Sequence, residues 1–163
     1  MRQAFCWISV LAALAVAGVA SPAAQGADPF VGTWRTNIAS GQYDPPSMKP
    51  SAPSILTRTV EGSGFKVTSV GRNGEGQVTS IEYTFALDGK DYPLKGTSSA
   101  DVVSVVRIDA NTQIQTRKKG GVVVSMYRQT VSPDGKTLTS AEVGYNTARG
   151  TASHNVLVFD RQP

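Results

Sequence analysis

The side chains able to do chemistry are few, and they are spaced for structure. The 163-residue chain holds one His and one Cys. His154 precedes Asn155-Val156-Leu157 in a stretch of strand composition, where a lone imidazole reads as a surface or hydrogen-bonded residue. Ser and Asp are plentiful, but no Gly-x-Ser-x-Gly elbow presents a serine nucleophile. Gly71-Arg72-Asn73-Gly74-Glu75-Gly76 is glycine-rich yet opens no helix, so it reads as a hairpin turn and not as a phosphate cradle. Asp109 and Asp134 fall in turns, where Asp caps its own backbone. Cys6 lies in the N-terminal apolar run, and one His cannot make a usual zinc set. The sequence therefore implies no enzyme, no metal and no cofactor.

Charge excludes a further class. Lys and Arg total 16 against 12 Asp and Glu, a net charge of +4. The basic residues are scattered. Their densest run, Arg117-Lys118-Lys119, precedes Gly120-Gly121 and reads as a solvated hairpin tip, so no nucleic-acid partner is expected.

The elements that would position these residues begin after residue 26. Met1 to Gly26 has the pattern of a signal peptide: Arg2, an apolar run from Phe5 to Ala20, and Ala24-Gln25-Gly26 before Ala27. Gly18-Val19-Ala20 offers a second cleavage site. The run is short for a membrane span, and no Cys follows it to carry a lipid. The expectation is a periplasmic or secreted bacterial protein with no membrane anchor after cleavage. It would be a monomer with one domain over 27–163. That domain has no Cys, so its core and strand ladders must hold it without disulfides.

Val31 to Thr36 reads as the first strand. Asn37 to Pro53, with Gly41, Pro45, Pro46, Pro50 and Pro53, reads as a long loop that could cover a barrel mouth with Tyr43 and Met48. Strand-like runs then follow at 54–61, 65–70, 77–86, 90–95, 101–108, 112–118, 122–131, 136–145 and 153–160. Gly, Asn and Asp turns separate them. Such a meander gives an all-β, antiparallel up-and-down barrel of about 8–10 strands, with a sandwich as the other arrangement. Alternation groups Thr79, Ile81, Tyr83 and Phe85 on one face. In the 122–131 run both faces are mixed: Val122, Val124, Met126, Arg128 and Thr130 on one, Val123, Ser125, Tyr127, Gln129 and Val131 on the other.

Phe30-Val31-Gly32-Thr33-Trp34 resembles the G-x-W opening strand of the calycin superfamily: lipocalins, fatty-acid-binding proteins and avidins. The whole chain looks most like small exported lipocalin-like proteins of bacteria. In that family a basic residue near the C-terminus packs across the Trp, and Arg161 matches it. The resemblance implies Gly32, Trp34 and Arg161 as the barrel closure. Two departures stand out. The Pro-rich 37–53 stretch replaces the helix pair of fatty-acid-binding proteins, and their C-terminal Arg-x-Tyr motif is absent. A single Trp after residue 26 also argues against an avidin-like biotin site.

Two functions stay open. One is a binding protein holding a small apolar ligand in its lumen, with Tyr83, Phe85, Met126 and Arg128 as candidate lining. The other is a filled barrel acting through its surface, as an envelope structural or interaction protein or an inhibitor of an exported enzyme. Large apolar side chains across the lumen would favour the second, and small and polar ones leaving a void the first. Both require a buried Trp34. Trp34→Ala should cost about 3–5 kcal/mol in thermal or chemical denaturation. A loss below about 1 kcal/mol would place the indole at the surface.

Overall fold

Short alternating segments cut by Gly, Asn and Asp leave no room for an α-helix, and none occurs among the described residues. The computed structural model describes residues 28–146 and 150–163. The expected leader, 1–26, lies outside them. Eleven strands follow in order: β1 (Gly32–Thr36), β2 (Gln42–Asp44), β3 (Ala52–Glu61), β4 (Gly64–Arg72), β5 (Val78–Phe85), β6 (Tyr92–Pro93), β7 (Val102–Arg107), β8 (Thr112–Lys119), β9 (Val122–Val131), β10 (Thr137–Asn146) and β11 (Thr151–Arg161). The turns use the expected chemistry. Asn73 Oδ1 accepts from the Glu75 and Gln77 N–H groups, and Asp134 Oδ1 accepts from Lys136 N–H.

All ladders are antiparallel, in the order β5-β4-β3-β1-β11-β10-β9-β8-β7-β6. The ends of this path meet at Glu82 and Lys95. Each N–H there donates to the other's carbonyl, at 3.1 and 2.9 Å, so the sheet curls into a nearly closed barrel. Two expected segments differ. The 37–53 stretch is not loop throughout: it holds β2, which pairs with β11, and a short 3-10 helix at Pro46–Met48. The 90–95 strand shrinks to Tyr92–Pro93 at the end of the path, because Pro cannot donate to a ladder.

The core has two parts. Val67, Tyr83, Phe85, Leu94, Ala100, Val103 and Val105 fill the β4–β7 side. Phe30, Trp34, Val131, Leu138 and Phe159 fill the end where β1, β10 and β11 meet. Leu56 packs against both. Trp34 is fully buried, and its Nε1 donates to the Phe30 carbonyl at 3.1 Å. Arg161 lies opposite it in the β1–β11 register, with the guanidinium carbon 4.1 Å from the centroid of the indole. Its edge is tied to backbone. Nε donates to Gly135 at 2.5 Å, Nη1 to Val31 at 2.7 Å and Nη2 to Pro29.

Gly32 makes that arrangement possible. It has a φ of 137°, and a Cβ there would come 2.5 Å from Arg161 Nη1. Gly121 also has a positive φ, 81°, but nothing lies within 4 Å of its position for a Cβ. Gly32→Ala should therefore cost about 1–3 kcal/mol more than Gly121→Ala, from overpacking added to backbone strain. Equal losses in denaturant titrations would remove the close approach of Arg161 from this account.

Candidate functional site

Three adjoining spaces run along the barrel interior. The outermost, ≈ 330 Å³, lies under Met48 of the 3-10 helix, with Ser98, Ser99 and Tyr145 also lining it. The next, ≈ 170 Å³, is lined by Leu56, Ile81, Leu157 and Phe159 with Ser54, Ser69, Gln115 and Ser140 among them. Arg117, Tyr127 and Glu142 line both, so they form a waist between an outer and an inner chamber. A third pocket of ≈ 20 Å³ lies beside Arg58 and Phe30, near the Trp34 end.

A strap covers the outer chamber. β2 fastens it to β11, and Asp44 N–H donates to Asn155 Oδ1 at 3.1 Å. Its far side is held at the β4–β5 turn, where Ser51 Oγ donates to the Asn73 carbonyl at 2.8 Å. This segment stands where the sequence suggested a loop over the mouth, and Met48 is its apolar contribution to the lining.

The waist is a hydrogen-bonded polar group. Tyr127 Oη donates to Glu142 Oε1 at 2.9 Å and accepts from Ser125 Oγ at 3.3 Å. Asn155 Nδ2 donates to Glu142 Oε2 at 2.8 Å, linking the waist to the strap. The Arg117 guanidinium lies 4.7 Å from the Tyr127 ring centroid. Gln115 stands 2.8 Å from Tyr83 Oη. With its NH₂ towards that oxygen, its carbonyl accepts from Arg117 Nε at 3.0 Å, which satisfies both ends of the amide. Burial pushes the Tyr127 phenol up to about 12, with Arg117 opposing and Glu142 adding. Burial also raises Tyr83, against the pull of Arg117 and Arg58.

Nearer the plug, Arg58 is 3% exposed and packed among the rings of Phe65, Phe85 and Phe30, at 4.1, 4.9 and 5.2 Å. Its Nη1 donates to Gln113 Oε1 at 3.0 Å, and Gln113 Nε2 donates to Gln129 Oε1 at 2.6 Å. Nε and Nη2 have no partner. Burial lowers the guanidinium to about 10, with Asp28 resisting and Arg107 adding to the fall, so it stays charged at neutral pH.

The sequence candidates divide. Tyr83 lines the inner chamber, and Phe85 is buried beneath Arg58 in the core. Met126 and Arg128 are not in the lumen: Met126 is 47% exposed and Arg128 points outward. The inward residues of β9 are Ser125, Tyr127, Gln129 and Val131. Both faces of that strand are mixed, so alternation alone does not choose between them. A bulge adds to this, since Lys118 pairs with Val123 and Arg117 with Ser125, leaving Val124 as an extra residue that lines the outer chamber. Arg117 itself turns inward, whereas Lys118 and Lys119 pair with Asp91 and Asp101 at 2.9 and 2.6 Å. His154 is exposed. Among the described residues, no three His, Cys, Asp or Glu side chains are grouped to hold a metal.

No protein-family model matches the chain, and no curated protein matches it in sequence. A solved structure does match in shape: zebrafish ileal bile acid-binding protein complexed with cholic acid. The likeness covers 82% of this chain and 99% of that one, at a TM-score of 0.54 and 14% identity. The chain has a calycin-like fold.

The raised Tyr127 pKa gives a signed expectation. A folded pKa above the unfolded value means the phenol's contribution is complete below about pH 10 and is lost as pH rises towards about 12. Tyr127→Phe should therefore lose less stability than the wild type over that interval in denaturant titrations. Parallel alkaline losses in both proteins would contradict a buried, protonated Tyr127.

Proposed function

We propose that the protein is an exported, monomeric binding protein that carries a small, largely apolar molecule in its barrel lumen. The observation that carries this reading is the interior itself. One end is plugged by Trp34 and Arg161, and chambers of ≈ 330 and ≈ 170 Å³ lie beyond it. A barrel acting only through its surface would gain stability by filling that space with large apolar side chains. This one places Ser54, Ser69, Gln115 and Ser140 there instead. Ligand cavities combine apolar walls with a few placed polar groups, and the inner chamber and waist have that character.

The apolar body of the ligand would rest against Leu56, Ile81, Leu157 and Phe159, with its polar end at Arg117 and Tyr127. Tyr83 would join that lining. The strap over the outer chamber gives a route in that leaves the plug intact. A structural neighbour of the same fold is a bile acid-binding protein complexed with cholic acid, which supports this use of the barrel. Export rests on the signal-peptide pattern of residues 1–26. The reading assigns binding and no catalytic step.

Native mass spectrometry of protein purified from the periplasm should find a co-purifying small molecule. Added back at a hundredfold excess over its Kd, that molecule should stabilise the fold by about 2.7 kcal/mol. A clean apo mass, with no thermal shift across a panel of lipids, retinoids and haem, would overturn the carrier reading and leave the surface-acting barrel.

A further inference from the structure

The waist holds two opposite charges that face one cavity without pairing. Arg117 of β8 and Glu142 of β10 both line the outer and inner chambers. Their strands flank β9 and so lie roughly 10 Å apart. Tyr127 of β9 stands between them, with its ring under the guanidinium and its hydroxyl on Glu142. Among the described residues no ion pair joins Arg117 to Glu142. Each keeps unused capacity. Arg117 gives Nε and Nη2 to the Gln115 carbonyl, at 3.0 and 3.3 Å, and Nη1 has no partner. Unlike the free edge of Arg58, Nη1 is not sealed in. Each oxygen of Glu142 accepts one bond, from Tyr127 or from Asn155, of the roughly two that a carboxylate oxygen takes.

We infer that the waist selects a ligand whose polar group is neutral and both donates and accepts, a hydroxyl or a primary amide, over carboxylates and ammoniums. The inference rests on the carrier reading and specifies its guest. Such a group accepts from Arg117 Nη1 and donates to Glu142, bridging the two. A carboxylate can take the first bond but has no proton for Glu142, so like charge meets like. An ammonium can make the second but meets the guanidinium. An ether accepts and cannot donate, which strips Glu142 of water and returns nothing. Bonds to ionised partners are the stronger kind. Both partners are also held in advance: Arg117 by Gln115 and the Tyr127 ring, Glu142 by Tyr127 and Asn155. Arg58 does not tip the balance towards anions. Its free edge is buried, and it lines neither chamber.

The test is isothermal titration at neutral pH with dodecanol, methyl undecyl ether, dodecanoate and dodecylamine, which are alike in length and differ in the polar group. The wild type should bind dodecanol at least about tenfold tighter than each of the others. Glu142→Gln removes the negative charge and should shift the preference towards dodecanoate by at least about tenfold. Arg117→Met should shift it likewise towards dodecylamine. A plain apolar cavity would also rank the alcohol above both ions, because ions are costly to desolvate. It would show neither shift and no preference over the ether. If a variant fails to fold, the ratio of alcohol to ether in the wild type still decides. Dodecanoate binding as tightly as dodecanol, or the ether matching the alcohol, would overturn the selection and leave the carrier standing. Silence from all four, in protein that melts cooperatively, would overturn the selection and count against the carrier reading as well.

Discussion

The barrel depends on a cation laid over a buried ring. Trp34 requires an apolar site, and Arg161 would be costly there unless its donors were satisfied. Three backbone carbonyls, from Pro29, Val31 and Gly135, meet them. Those carbonyls come from the segment before β1, from its approach to Gly32 and from the β9–β10 turn. One side chain at the end of the chain therefore fixes the start of the barrel and one of its rims. Gly32 must stay free of a Cβ for the same reason. With this end sealed, the chambers lie towards the strap.

Beyond the plug the interior is unusually polar. Gln113 and Gln129 bond to one another, Gln115 joins Tyr83 to Arg117, and Glu142 joins Tyr127 to the strap through Asn155. Satisfied polar groups of this kind hold one arrangement and resist collapse into a filled core. They also give the lumen direction. Apolar and polar side chains share the walls of the inner chamber, a hydrogen-bonded polar group marks its waist, and the buried Arg58 lies towards the plug. That layout suits an amphipathic guest better than a purely apolar one.

Much of the architecture was legible in the sequence because β-turn chemistry is local. Asn73-Gly74, Asp134-Gly135 and Gly120-Gly121 mark hairpins without knowledge of the rest of the chain. The inward placement of Tyr83 and Phe85 followed from one clean alternation. The waist did not, because β8 and β9 carry polar residues on both faces and a bulge at Val124 breaks the alternation. Met126 looked like lining for that reason, while Tyr127, its neighbour, holds the position. Arg58 gave no signal. A basic residue in a strand reads as surface, and only the closing of β3 against β1 and β4 beside three phenylalanines buries it. The Arg117-Lys118-Lys119 run hid a similar division, one residue inward and two in surface ion pairs.

The claim that this closure organises the barrel is tested most directly by a double-mutant cycle between β1 and the end of β11. Trp34→Leu and Arg161→Ala, alone and together, are compared by denaturant titration. The stacked geometry predicts that the two losses are not additive, with a coupling of about 0.5–2 kcal/mol. Losses that add within about 0.3–0.5 kcal/mol would mean that the two side chains do not act on one another. The plugged end, and the lumen defined by it, would then need another explanation.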